Sequence, residues 1–142
     1  MTGNVIHEER NGMTGNVEIA EAFFEALAGR NEQGVDEQGV RMLCASNLRV
    51  RQNNDEPMDL EMLLGYTRAV QAVVKHFRYA DAVRSATATG FVEEHAVRGT
   101  LPDGQPIDLV TCLVADVTNG KITEIREYTD TAAAADLIAL LG

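Results

Sequence analysis

The chain has 142 residues, of which 45% are hydrophobic and 24% charged, and its formal net charge is −10. These values are typical of one globular domain with a sizeable core, and no apolar run reaches the ~20 residues that a membrane helix needs. An acidic chain without clustered basic residues is not expected to bind nucleic acid or an anionic membrane surface.

The first five residues, MTGNV, recur word for word at residues 13–17. So short a repetition is not a structural repeat, and we interpret it as a second possible start at Met13 or as an artefact. Residues 1–15 are predicted to form a flexible arm before a single domain of residues 16–142. They lack the apolar core of a signal peptide, which predicts a cytoplasmic location.

Apolar residues at helical spacing predict three helices in the first half of the chain and one at its end. The expected ranges are Val17–Ala28, Glu37–Ala45, Leu60 to about His76, and Thr131–Leu141. Their predicted N-caps are Asn16, Asp36, Asp59 and Asp130, which are side chains that accept hydrogen bonds from the first turn. His76 is expected to close the third helix, where a cation suits the helix dipole.

Alternating apolar residues and turn signals predict five strands. The expected ranges are Asn47–Asn53, Tyr79–Thr87, Phe91–Arg98, Pro106–Val117 and Lys121–Tyr128. Asn119-Gly120 is a strong hairpin signal, and Leu101-Pro102-Asp103-Gly104 fits a longer loop, so the last strands form an antiparallel meander. The order α-α-β-α-β-β-β-β-α predicts an α+β fold, in which a strongly bent antiparallel sheet wraps around three N-terminal helices as a cone with a deep pocket.

This order of elements, with Gly120-Lys121-Ile122 and then Glu127-Tyr128-Thr129-Asp130, resembles the nuclear-transport-factor-two-like superfamily over residues 17–141. Within it the likeness is to SnoaL-like proteins, a group that includes ketosteroid isomerases, polyketide cyclases and limonene-epoxide hydrolases. The resemblance implies a pocket for an apolar small molecule and chemistry without a cofactor. It is specific for the fold and much less so for the activity.

The resemblance also implies positions for the catalytic groups. The isomerase base would fall at about Arg51, and the hydrolase Asn and Tyr at Arg51 and Arg49. The hydrolase Arg–Asp pair would fall on Ala96 and Arg98, or on Glu94 and Ala96, and the cyclase acid at about Leu113. Only Glu127 retains a carboxylate at such a position, so none of the three constellations is intact.

Strand parity places Glu94, Ala96 and Arg98 on one face of their strand, which the resemblance assigns to the pocket. The predicted catalytic residues are therefore Glu127 and then Glu94. The predicted substrate-binding residues are Arg98, Arg51, Arg49, Tyr66, Thr111, Leu109, Leu113 and Phe23. The alternative is that these charges pair as a structural network. His95 is either an acid–base group or, as we expect, a histidine on the outer face of the sheet, where it could lie in a dimer interface.

Two functions remain open. The first is a cofactor-free acid–base enzyme for isomerisation, cyclisation, dehydration or epoxide opening. The second is a ligand-binding or protein-assembly module without catalysis. An open apolar cavity with a lone carboxylate would favour the enzyme, and a cavity plugged by Arg–Glu pairs the module.

Cys44 and Cys112 are interpreted as buried thiols, although a disulfide between them stays open, and no Cys or His pair has the spacing of metal ligands. A homodimer through the outer sheet face is expected, because that face carries an apolar set. Its predicted members are Val92, Val97, Val110, Cys112 and Val114.

Overall fold

The computed structural model describes residues 2–29 and 33–141, with side chains from residue 15 onward. Its described part contains four helices, which are α1 Thr2–Ala28, α2 Glu37–Leu43, α3 Leu60–Val73 and α4 Ala135–Leu141. The five strands are β1 Cys44–Gln52, β2 Lys75–Ala86, β3 Gly90–Thr100, β4 Pro106–Thr118 and β5 Lys121–Thr129. The predicted order of elements is confirmed. Among the described residues, no helix is long and apolar enough to cross a membrane.

The strands form one sheet in the order β1-β5-β4-β3-β2. Strands β2 to β5 are an antiparallel meander, as predicted, but β1 pairs with β5 in parallel, so the sheet is mixed rather than purely antiparallel. The pairing of β2 with β3 is interrupted twice, next to His76 and Asp81, whose φ angles are +57° and +56°. Bulges of this kind bend a sheet, and the result is consistent with the predicted cone-shaped α+β fold.

The first helix is longer than predicted. It begins at Thr2 rather than Val17, so Asn16 lies inside the helix and cannot be its N-cap. The side chains of residues 2–14 lie outside the described part, and the proposed mobility of the arm stays a prediction. Gly29, with a φ of +80°, ends the helix as expected, and its N–H donates to the Glu25 carbonyl over 3.0 Å.

The two central helices begin where their caps predict. The Asp36 carboxylate accepts from Gly39 N over 3.0 Å, and the Asp59 carboxylate accepts from Met62 N over 2.8 Å. Helix α3 ends at Val73, three residues earlier than expected, and the next strand begins at Lys75. His76 therefore belongs to β2 and does not close the helix, because the chain is already extended at Val74.

The last helix also starts later than predicted. Residues 131–134 form turns, and α4 begins at Ala135. The Asp130 carboxylate accepts from Ala132 N over 3.0 Å, so Asp130 caps the turn that precedes the helix. This turn brings Ala134 and Leu137 into the core beside α3.

The two long hairpins fix the register of the sheet. Asn119 and Gly120 have φ angles of +52° and +76°, which confirms the predicted tight turn. The other loop runs from Leu101 to Gln105, and it places Thr100 opposite Pro106. With this register, odd-numbered residues of β3 lie opposite odd-numbered residues of β4.

The core has two parts. A larger cluster joins α1, α2 and α3 to the sheet around Phe23, Leu64 and Phe91. A smaller one joins the end of α3 to β4 and α4 around Val70, Leu109 and Leu137. The cavity described below borders both clusters.

Candidate functional site

The concave face of the sheet and helices α1, α3 and α4 enclose an open cavity of about 420 Å³. Its wall is mainly apolar, with Phe24 and Leu27 from α1, Leu63 and Val70 from α3, and Leu109 from β4. Polar side chains converge on this apolar surface. They are Gln52, Asn53, Asp55, Tyr66, Thr67, Tyr79, His95, Thr111, Glu127, Thr129 and Thr131. An apolar pocket with few polar groups is the usual form of a small-molecule site.

Among the described residues, two carboxylates line this cavity, and Glu127 is the one that is partly buried, whereas Asp55 is exposed. Glu127 lies near the end of β5 and remains partly exposed to the open space, while protein surrounds it on its other sides. Burial raises the pKa of Glu127, whereas a hydrogen bond from Gln52 and the proximity of His95 lower it. The Gln52 amide donates to Oε2 over 2.8 Å. Removal from bulk water disfavours the charged form, so this carboxyl holds its proton at a higher pH than an exposed glutamate.

Two tyrosines stand beside Glu127. Burial raises the pKa of Tyr66, and the neighbouring Glu127 raises it further. Burial likewise raises the pKa of Tyr79, again with a contribution from Glu127. Both phenols are therefore neutral hydrogen-bonding groups at physiological pH, and neither can act there as a base.

His95 also reaches the cavity, through a chain of charged partners behind it. Its Nδ1 lies 2.6 Å from Oε2 of Glu93, and Oε1 of Glu93 accepts from Nε of Arg84 over 2.5 Å. Glu93 is 0% exposed and His95 is 3% exposed. The imidazole packs against the rings of Phe24 and Tyr79, at centroid distances of 4.9 and 4.5 Å, and these two rings also contact each other at 5.4 Å.

The fold can now be compared with known structures. A proposed SnoaL-like polyketide cyclase from Jannaschia sp. CCS1 superposes with a TM-score of 0.77 at 17% identity, over 89% of this chain and 93% of its own. A protein with a ketosteroid isomerase-like fold from Catenulispora acidiphila, in complex with trimethylamine, gives 0.69 at 16% identity, over 88% and 92%. An LEH-like epoxide hydrolase from M. tuberculosis gives 0.65 at 20% identity, over 92% and 91%.

The protein has the SnoaL-like, NTF2-like fold. The resemblance recognised in the sequence is thus confirmed for the fold. No protein-family model matches the chain, and no curated protein matches it. Identities of this size establish a shared architecture, so the activity has to be argued from the site itself.

The SnoaL-like cone brings together only some of the residues predicted from sequence. Glu127, Tyr66, Leu109, Thr111 and Leu113 all line the cavity. Thr111 is held by a hydrogen bond of 2.7 Å between its hydroxyl and that of Thr129. The assignment of these positions to the pocket agrees with the structure, while their roles stay predictions.

The prediction that Glu94 and Arg98 lie on the cavity face of β3 is wrong. Glu94 is exposed, opposite Cys112, and Arg98 pairs with Asp81 and Asp108 over 2.8 and 3.3 Å at the surface. The cause is the register of the hairpin, which places His95 opposite Thr111 on the cavity side and even-numbered residues on the outer side. The sequence placed a turn at Leu101-Pro102-Asp103-Gly104 but did not fix the length of the loop, so the pairing of His95 with Thr111 was not predicted.

The first strand was also assigned the wrong face. Leu48 and Val50 are buried, so Arg49 and Arg51 point to solvent and are not substrate-binding residues of the cavity. Burying two guanidinium groups without carboxylate partners would cost far more than burying Leu and Val. The same alternation carries Gln52 to the cavity, a residue that sequence reasoning missed.

Two smaller corrections concern apolar residues. Phe23 is buried in the core and does not line the cavity, whereas the adjacent Phe24 does, at a centroid distance of 5.1 Å from it. Val97, which was expected on the outer sheet face, lines the cavity for the reason given for His95.

The cavity is not closed by a charge network. Over the described residues, no arginine lines it, and the hydrogen bond recorded for the Glu127 carboxylate comes from the neutral Gln52. The Arg84–Glu93 pair stands behind His95 and does not line the cavity, and the Arg41–Glu61 pair lies at the surface. The described lining holds two carboxylates, the partly buried Glu127 and the exposed Asp55, so an open apolar cavity without an arginine agrees better with the enzyme than with the plugged module.

Neither cysteine lines the cavity. Cys44 and Cys112 are both free thiols, and burial raises the pKa of Cys44 to about 12, so it is not a ready nucleophile. In the part of the chain that the structure describes, no group of three metal-ligating side chains occurs.

Proposed function

We propose that this protein is a cofactor-free acid–base enzyme that acts on an apolar small molecule, with Glu127 as its proton-transfer group. The observation that carries the proposal is a partly buried carboxyl group, bound by a neutral amide, at the wall of an open apolar cavity. Burial raises the pKa of Glu127, and a general acid or base works best when its pKa lies near the operating pH.

The proposed step is a proton transfer to or from a carbon or oxygen atom of the substrate. The ionised carboxylate takes the proton, and the protonated group returns it at another position. Apolar walls bind the rest of the molecule and keep water from competing. Isomerisation, cyclisation, dehydration and epoxide opening all require such a step. A proposed cyclase and an LEH-like epoxide hydrolase among the structural neighbours support this range.

The test uses deuterium exchange at the acidic carbons of β-tetralone, an apolar ketone, in deuterium oxide, followed by proton NMR. Wild-type protein should accelerate exchange over buffer, and Glu127→Gln should lose about 10²-fold or more of that acceleration. Glu124→Gln, three residues earlier on β5, is the matched control and should retain it. Thermal melting of each variant verifies that the fold is intact.

The outcome separates two functions. If wild-type and Glu127→Gln exchange the ketone equally, Glu127 has no part in proton transfer and the proposal fails. A binding module without catalysis would then be the better interpretation. Mass spectrometry of any small molecule that co-purifies with the protein would identify the natural ligand in either case.

A further inference from the structure

We propose that His95 is a second proton-transfer group of the same cavity, which acts on an oxygen atom of the substrate, and that Glu93 and Arg84 are positioning residues that hold its ring in one tautomer. This inference rests on the proposed function and extends it from one group to two. It also defines the substrate class as an apolar molecule with an enolisable carbonyl group or the corresponding enol.

The tautomer follows from the hydrogen bonds. A carboxylate can only accept, so Nδ1 of His95 must donate its hydrogen to Oε2 of Glu93 over 2.6 Å. A neutral imidazole carries one hydrogen, and Nε2 is then the bare nitrogen. Because His95 lines the cavity and its Nδ1 is bonded to Glu93, Nε2 is the ring nitrogen left for a bound molecule.

The imidazole ring of His95 is restricted by Glu93, Phe24 and Tyr79. Arg84 donates to the other oxygen of Glu93 over 2.5 Å, so the carboxylate is held from both sides. Phe24 and Tyr79 pack against the imidazole at centroid distances of 4.9 and 4.5 Å and against each other at 5.4 Å. The order Arg84, Glu93, His95 therefore leads from a partly exposed guanidinium to the wall of the cavity.

A purely structural role explains this arrangement less well. Arg84 by itself already supplies a charged partner for the buried Glu93 carboxylate. A polar ring in an apolar wall is costly unless something uses its second nitrogen. Glu127 lies close enough to His95 for the two to interact electrostatically. A molecule in the cavity therefore meets a carboxyl group and an imidazole together.

The two groups complete a balanced proton transfer. For an enol, Nε2 takes the hydroxyl proton while protonated Glu127 gives its proton to the carbon, which leaves a ketone, an imidazolium and a carboxylate. The reverse step starts from that ionised pair. The carboxylate removes the proton next to the carbonyl, and the imidazolium gives its proton to the oxygen. The Glu93 carboxylate stabilises the imidazolium in both directions.

The first measurement needs no substrate. Protein labelled with ¹⁵N in its histidines is studied by NMR, and the His95 signals are those that vanish in His95→Phe. At a pH where the ring is neutral, we expect the hydrogen on Nδ1 and a bare Nε2. A neutral ring with its hydrogen on Nε2 would overturn the proposal.

The second measurement uses the β-tetralone exchange. His95→Phe should lose about 10²-fold of the rate, because oxygen-side proton transfer is lost while the ring shape is kept. Glu93→Gln should give a mixture of tautomers in the ¹⁵N spectrum and an intermediate loss of about 10-fold. Glu61→Gln is the matched control, since it removes an exposed carboxylate that pairs with Arg41, and it should change neither reading.

The outcomes separate this inference from the proposed function. If the wild type shows the expected tautomer but His95→Phe keeps full exchange activity, Glu127 keeps its role and His95 is refuted as a transfer group. A change of tautomer in Glu61→Gln as large as in Glu93→Gln would refute the positioning role. Loss of exchange in both Glu127→Gln and His95→Phe, with the tautomer as expected, would support both proposals.

Discussion

Replacement of Glu127 by glutamine should stabilise the protein at neutral pH. Burial raises the pKa of Glu127 in the folded protein, so the folded state binds a proton more tightly than the unfolded state does. Between the two pKa values, the free energy of unfolding of the wild type must fall as the pH rises, by up to about 1.4 kcal/mol per pH unit for one group. This contribution is fully present below the unfolded pKa and is lost as the pH rises through the folded pKa.

Glutamine has the same shape, carries no charge, and its carbonyl can accept the hydrogen bond of 2.8 Å that Gln52 donates. The free energy of unfolding of the variant should therefore equal that of the wild type at acidic pH. The difference should grow in favour of the variant between the unfolded and the folded pKa, and it should stay constant above the folded pKa. Urea denaturation at a series of pH values measures this. Glu124→Gln is the control, and the difference between the two variants isolates the effect of burial. A wild type that gains stability relative to Glu127→Gln as the pH rises would contradict the reasoning.

Four further predictions concern the scaffold. Leu64 is 0% exposed in the core, so Leu64→Ala should lower the free energy of unfolding by about 2–5 kcal/mol, as measured by urea denaturation. Asp59→Ala should cost about 1 kcal/mol through loss of the α3 cap, and an unchanged melting curve would exclude the cap. Gly90→Ala would put a methyl group 1.9 Å from the carbonyl oxygen of Ala115, so a loss of about 1–3 kcal/mol in denaturation is expected. Light scattering at micromolar concentration should show that the wild type is a homodimer. Val110 is 71% exposed on the outer sheet face, and Val110→Glu should convert the dimer to a monomer. A monomeric wild type would contradict this prediction.

The comparison of sequence and structure shows which features are local. The caps Asp36 and Asp59 and the turn Asn119-Gly120 were predicted correctly, because each depends on side chains within a few residues. The order of elements followed from hydrophobic periodicity, which reports the type of an element. The start of α1 was misplaced because Asn16, a suitable cap, lies inside the helix, and that of α4 because Asp130 caps the turn before the helix.

The candidate site shows what only tertiary structure decides. Alternation along β3 separates His95 from Glu94, but it does not say which of them faces the cavity. The register between β3 and β4 decides which of them faces the cavity, because the five-residue loop places His95 opposite Thr111. The sequence alone therefore determined the cone and the carboxylate of Glu127. Packing between distant strands determined the cavity wall, because the buried face of a strand depends on its partners and not on its own pattern.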